Sequence, residues 1–208
     1  MRTAAGPSLN LELNNFSSIV FIVFGALLPD IRLFIMFGYA QLTDLPKDVI
    51  WAEMYYSDFW QKLGAISNSA PVFFSNSLVC WLIIRRSMQS QHSALVPLSE
   101  FLQGKQVMST AFAVLVLSLA SLLHVATDLP LHNDDGYAHF WPFTNWIFSS
   151  TVSFWDAGHY ANLWVPIECV LGLTLVAILW RKTVSVWKKG LLFSVGLTYP
   201  VFALFFFS

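Results

Sequence analysis

The residues best suited to chemistry fall in one stretch, His124 to His159. Four of the chain's five histidines lie there, with Asp128, Asp134, Asp135 and Asp156 between them and no lysine or arginine. Imidazoles and carboxylates at this density, with no built-in countercharge, form the donor set of a divalent metal site. His124 and Asp128 are four apart, so on a helix they share a face. His132 follows just past Pro130, and His139 enters the aromatic patch HFWPF. Asp156 and His159, three apart in SFWDAGHY, would point the same way from a helix or tight turn. Nitrogen and carboxylate donors suit Zn²⁺ first, with Mn²⁺ or Mg²⁺ open where carboxylates dominate. Bound zinc lowers the pKa of a coordinated water to about 7, which supplies a hydroxide nucleophile, and a second metal would clamp both oxygens of a phosphoester displacement. Spare carboxylates could orient ligating imidazoles or act as general base.

The elements that must position this stretch are membrane elements. The chain has 208 residues, 56% hydrophobic and 11% charged, with a mean hydropathy of +0.61. Soluble domains carry about 25% charged residues, so this deficit, with long apolar runs, points to an integral membrane protein. Five runs are evident: Phe16–Tyr39, Ile66–Ile84, Val107–Asp128, Asn162–Trp180 and Leu191–Phe207. The sequence therefore predicts an all-α polytopic membrane protein of about five transmembrane helices in a single domain, 1–208. Between the first two runs, Lys47–Gly64 places Trp51, Met54, Tyr55, Phe59 and Leu63 near helical spacing, which predicts an amphipathic helix lying in the interface. Residues 128–161 form a His/Asp-rich loop. The N-terminal segment lacks the pattern of a cleaved signal peptide. Cys80 and Cys169 lie inside apolar runs and suggest neither a disulfide nor a thiolate metal site. No basic patch argues for nucleic acid, and nucleotide motifs are absent.

Basic residues set the expected orientation. Arg85, Arg86 and Lys105 follow the second run, Arg181, Lys182, Lys188 and Lys189 follow the fourth, and the 128–161 loop has none. The positive-inside rule then puts the N-terminus in the cytoplasm and the His/Asp-rich loop outside. On that orientation the first and third runs travel outward and the fourth inward. Asp30, His124, Asp128 and Glu168 are then expected at similar depth from three helices. Ionisable groups in a span usually face the bundle interior and serve a function. The expected metal ligands are Asp30, His124, Asp128, His132, His139 and His159. Asp128, Asp156 and Glu168 are the candidate catalytic groups.

HVATDLPLH, read as H-x3-D-x3-H, resembles the core motif of the zinc-dependent phospholipase C and P1 nuclease superfamily. ALLPDI looks like the Leu-Pro-Asp signature of bacterial inner-membrane metal-dependent hydrolases, and DLPLHNDDGYAHFWPF with SFWDAGHY is similar to a small bacterial membrane family of this type. The resemblance covers under a third of the chain. It implies that His124, Asp128, His132 and Asp30 bind metal, that the substrate is a lipid or other phosphoester, and that the protein lies in the bacterial inner membrane with a periplasmic active face. The N-terminal metal-binding segment of the soluble enzymes and the His-Arg-Gly and Thr-His-Ser motifs of the membrane hydrolases are not evident.

Each residue also has a plainer reading. His124 and Asp128 can form a hydrogen-bonded pair at the membrane boundary. Asp30 can pair with Arg32 or with backbone at a proline kink, and Glu168 can bond Asn68, Asn76 or a serine. Asp134 and Asp135 suit a solvated turn, and His92 an ordinary surface. Trp141, Trp146, Trp155 and Trp164 suit an interfacial belt. The Asn15-Phe16-Ser17 sequon is expected inside. Two other functions stay open: a non-catalytic scaffold whose metal pins the outer loop, and an ion or small-solute transporter. The transporter needs polar residues through the full bilayer depth, and the inner halves of the third and fourth runs are apolar. Haem ligation by paired histidines has little support, since only His124 lies within a helix.

Overall fold

The computed structural model describes residues 15–90 and 98–207; the N-terminal segment read above for a signal peptide and His92 lie outside them. The described chain is helix and turn with no strand. It divides into two compact units, one running to Leu129 and including Asp135–Phe148, the other made of Pro130–Asp134 and Ser149–Ser208. The expected outer loop is thus shared between them.

In unit one, α1 (Asn15–Leu27) and α2 (Ile31–Leu42) are separated by a sharp break. A three-residue helix, α3 (Lys47–Val49), runs into a π-helical turn, Ile50–Met54. Then come α4 (Asp58–Ser67), α5 (Ala70–Ser90) and α6 (Leu98–Asp128). Unit two carries a 3-10 turn, Ala157–His159, then α7 (Ala161–Lys182) and α8 (Val186–Phe207) packed on one another.

Three helical stretches among the described residues are long and apolar enough to cross a membrane: Asp58–Gln89, Gln106–Leu131 and Ala161–Lys182. The bent pair Ile19–Leu27 with Ile31–Leu42 would make a fourth. Large apolar side chains stand exposed on these helices, among them Phe24, Phe74, Leu78, Leu119, Leu123 and Leu171. An exposed apolar surface of this extent on long helices is what lipid tails cover.

The first apolar run does not continue straight through Tyr39. Its two halves meet at 69°. Pro29 has no N–H, so the Gly25 carbonyl four residues earlier loses its helical donor. The Ser121 hydroxyl of α6 donates to that carbonyl instead, at 2.8 Å. A Cβ on Gly25 would collide with the Leu117 carbonyl and sit 2.9 Å from Ala120 Cβ, so the missing side chain is what lets α6 come close enough to donate. Beyond the break, the Pro29 carbonyl accepts from Ser67 Oγ and Asn68 Nδ2, both at 2.9 Å. The end of α4 therefore holds the bend. Gly25 lies level with Ser121 and Asp30 level with His124, so α1 and α6 run in the same direction.

The expected interfacial helix over Lys47–Gly64 is instead broken at Tyr55–Ser57. Trp51 and Phe59 are exposed, as an interfacial position requires, but Tyr55 is buried. Its ring belongs to the core of this unit, with Met36, Ala40, Ile50 and Tyr137. A continuous helix would have carried it away from those neighbours.

Candidate functional site

In unit one, the break delivers Asp30 to the start of α2 and so to the side of α6. His124 Nε2 lies 3.8 Å from Asp30 Oδ1. That nitrogen is buried and makes no hydrogen bond among the described residues, and 3.8 Å is beyond hydrogen-bond range. Two ligands of one tetrahedral zinc, each about 2.0–2.2 Å from the ion, stand roughly 3.4 Å apart. The donor types suit a shared cation, and the separation is equally that of a loose ion pair between carboxylate and imidazolium. Asp128, half-buried, closes α6 one turn beyond His124. His139 is 2% exposed, its ring 5.9 Å from that of Tyr137, and its carbonyl accepts from the first N–H of α5, Ala70, at 2.9 Å. Among the described residues, no group of three or more His, Cys, Asp or Glu side chains is gathered closely enough to hold a metal ion.

Unit two holds the other candidates. His132 is buried, and its carbonyl accepts from the Ser150 N–H at 2.8 Å, while Phe154 N–H bonds the Leu131 carbonyl at 2.8 Å. Asp156 and His159 form a close pair, Oδ2 to Nδ1, at 2.7 Å. The other Asp156 oxygen accepts from the Gly158 N–H at 2.7 Å. The bond to His159, and after it the one from Gly158, holds the Asp156 carboxyl below its usual range. Ser153 organises this turn: its hydroxyl accepts from the Trp155 and Asp156 N–H groups, both at 3.1 Å. Glu168 stands exposed on α7 and Asp134 on its turn.

The most tightly built cluster in unit one involves residues that the sequence did not single out together. Arg32 is 1% exposed. Its guanidinium lies between two rings, 4.1 Å from the Tyr55 centroid and 4.5 Å from that of Tyr137. Nη1 donates to the carbonyls of Tyr55 at 3.4 Å and Trp60 at 3.3 Å, and Nη2 to the Tyr137 hydroxyl at 3.0 Å. Arginine tolerates this burial because its planar cation stacks on aromatic faces and is weakly hydrated. The Tyr55 hydroxyl donates to the Asp135 carbonyl at 2.6 Å and lies 3.2 Å from that of Tyr137. A hydroxyl carries one proton. The proton on Tyr55 is committed to the shorter bond, so Tyr137 supplies the proton between the two. Burial raises both phenols above their ordinary range, the neighbouring Tyr137 adding to the effect at Tyr55 and Arg32 opposing it at both. Gly64 leaves the room: a Cβ there would lie 2.9 Å from the Tyr137 ring and 3.0 Å from Arg32 Cδ.

This cluster ties α2, the α3–α4 segment and the loop Asp135–Phe148 together. The same loop is held by Ser69, whose hydroxyl donates to the Trp141 carbonyl. The sequence signal that could have found the cluster was a lone arginine in an apolar run, beside tyrosines in two polar segments. No protein-family model, curated protein or solved structure matches the chain.

Proposed function

We propose that the chain is a membrane-embedded, metal-dependent hydrolase whose water attacks a phosphoester, or another ester, at the outer face of a bacterial inner membrane. One observation carries this reading: a buried imidazole nitrogen with no hydrogen bond faces a carboxylate oxygen across α1–α2 and α6 at 3.8 Å, a little wider than the roughly 3.4 Å between two ligands of one zinc. Asp30 and His124 would hold a divalent cation, most readily zinc. Asp128, one turn further along α6, is the next donor on the same helix. When bound, the ion would lower the pKa of a water to about 7. Asp128 would take a proton from such a water or orient His124. The sequence adds His139, in the same unit, as a further ligand. In this reading five helices cross the bilayer, the N-terminus is cytoplasmic and the 128–161 segment is periplasmic.

A second reading, a non-catalytic scaffold with a structural metal, rests on the same pair: an ion shared by Asp30 and His124 would pin the bend before α2 to α6. Metal analysis of the detergent-purified chain, with hydrolysis of a chromogenic phosphodiester, tests both. The expected result is stoichiometric zinc and a hydrolysis rate that drops at least about 100-fold in His124→Ala and Asp30→Ala. Protein free of transition metal sinks both readings. Metal that is lost in His124→Ala together with thermal stability, while hydrolysis stays unchanged, leaves the scaffold.

A further inference from the structure

We propose that the end of α5 carries a binding site for one anionic phospholipid, its phosphate on Arg85 and an acyl chain along the adjoining apolar stripe. An open groove of about 360 Å³ is lined by Trp81, Ile84, Arg85, Met88 and Gln89. These positions advance by three and four residues, so they form a single face of one helix. The face lies in the last turns of an apolar stretch ending at Gln89, the depth at which a tail gives way to a headgroup.

The chemistry changes along the face in the order a lipid requires. Trp81 and Ile84 come first, towards the apolar body of the helix, and Arg85, Met88 and Gln89 follow towards its end. The Arg85 guanidinium lies 5.4 Å from the centroid of the Trp81 ring. That stacking aims a planar cation without neutralising it, and no carboxylate pairs with Arg85 among the described residues. A guanidinium meets a phosphodiester through two parallel N–H bonds. The Gln89 amide adds a neutral donor suited to headgroup oxygens, and Met88 supplies an adaptable apolar wall. Arg86 lies one position round the helix, outside this lining, and adds only a diffuse positive field. A free inorganic phosphate would use Arg85 but leave the apolar stripe bare, which is why a lipid is the favoured occupant. None of these residues belongs to the proposed hydrolytic site, so the two proposals stand or fall apart.

Native mass spectrometry of the full chain in detergent, titrated with phosphatidylglycerol, phosphatidylcholine or inorganic phosphate, provides the test. One phosphatidylglycerol should be retained about fivefold more tightly than phosphatidylcholine. Arg85→Ala should abolish that preference and Arg85→Lys should weaken it, while Arg86→Ala should keep most of it. Excess inorganic phosphate should not displace the lipid. Equal retention of both lipids, unchanged preference in Arg85→Ala, equal losses in the two alanine variants, or displacement by inorganic phosphate would each overturn the proposal. Circular dichroism of each variant confirms that binding, not folding, has changed.

Discussion

A single charge sets the terms at the residue scale. Arg32 sits in an apolar run, where its nearest carboxylate in sequence, Asp30, offers the obvious pairing. The guanidinium instead packs between tyrosines 23 and 105 positions away. Spacing along the chain could not reveal this, because the pairing depends on the bend at Pro29. Lysine at position 32 keeps the charge but loses the planar stack and the forked donors. Arg32→Lys should therefore cost about 2 kcal/mol or more of stability, read from denaturation in detergent. An unchanged denaturation curve would mean that the stack is not holding the unit. The tyrosines make a second prediction. Their phenols bind the proton more tightly folded than unfolded, so their contribution is whole below the unfolded value of about 10 and drains away as pH rises above it. Alkaline titration should show tyrosinate absorbance rising together with loss of helical circular dichroism. Tyrosines that all ionise near pH 10 with the fold intact would contradict this.

At the scale of elements, α6 and α7 were legible because their apolar runs are long. Pro130 marked the end of α6 at Asp128, as the sequence led one to expect. The first run misled because a proline in an apolar stretch reads equally as a gentle kink or a full break. What decides between them is the capture of the Pro29 carbonyl by Ser67 and Asn68, which only the tertiary structure displays. The interfacial helix failed for the same reason: its aromatic spacing was helical, yet Tyr55 is claimed by the core. The α1–α6 contact makes a measurable prediction. Ser121→Ala leaves the Gly25 carbonyl without a donor and should cost about 1–2 kcal/mol. In a Pro29→Ala background, the restored N–H at position 29 can serve that carbonyl, so the cost of Ser121→Ala should shrink. A double-mutant cycle in detergent measures the difference; strict additivity would show that the serine bond does not answer the proline.

At the scale of the whole molecule, composition was enough to place the chain among membrane proteins, and the exposed apolar helices agree. The approach of Asp30 to His124 was foreshadowed by running the first and third apolar runs in one direction to a common depth. Of the other candidates, the close Asp156–His159 pair follows from their three-residue spacing. The placement of Glu168 did not follow from depth alone, because depth says nothing about which face of α7 carries it. Orientation is open to direct measurement. With Cys80 and Cys169 replaced by alanine, Asp134→Cys should react with an impermeant maleimide on intact cells, and Lys182→Cys only after permeabilisation. The opposite pattern would invert the proposed topology.

The stacked arginine also constrains how the protein is made. One of its two ring partners, Tyr137, leaves the ribosome 105 residues after it. At roughly 5–20 residues per second, that is about 5–20 seconds of synthesis. During this interval the Arg32 cation has the Tyr55 ring and the Tyr55 and Trp60 carbonyls, but neither the Tyr137 hydroxyl nor its second ring. A nascent chain stopped short of Tyr137 should be cleaved near Arg32 far faster by added protease than one that extends past it.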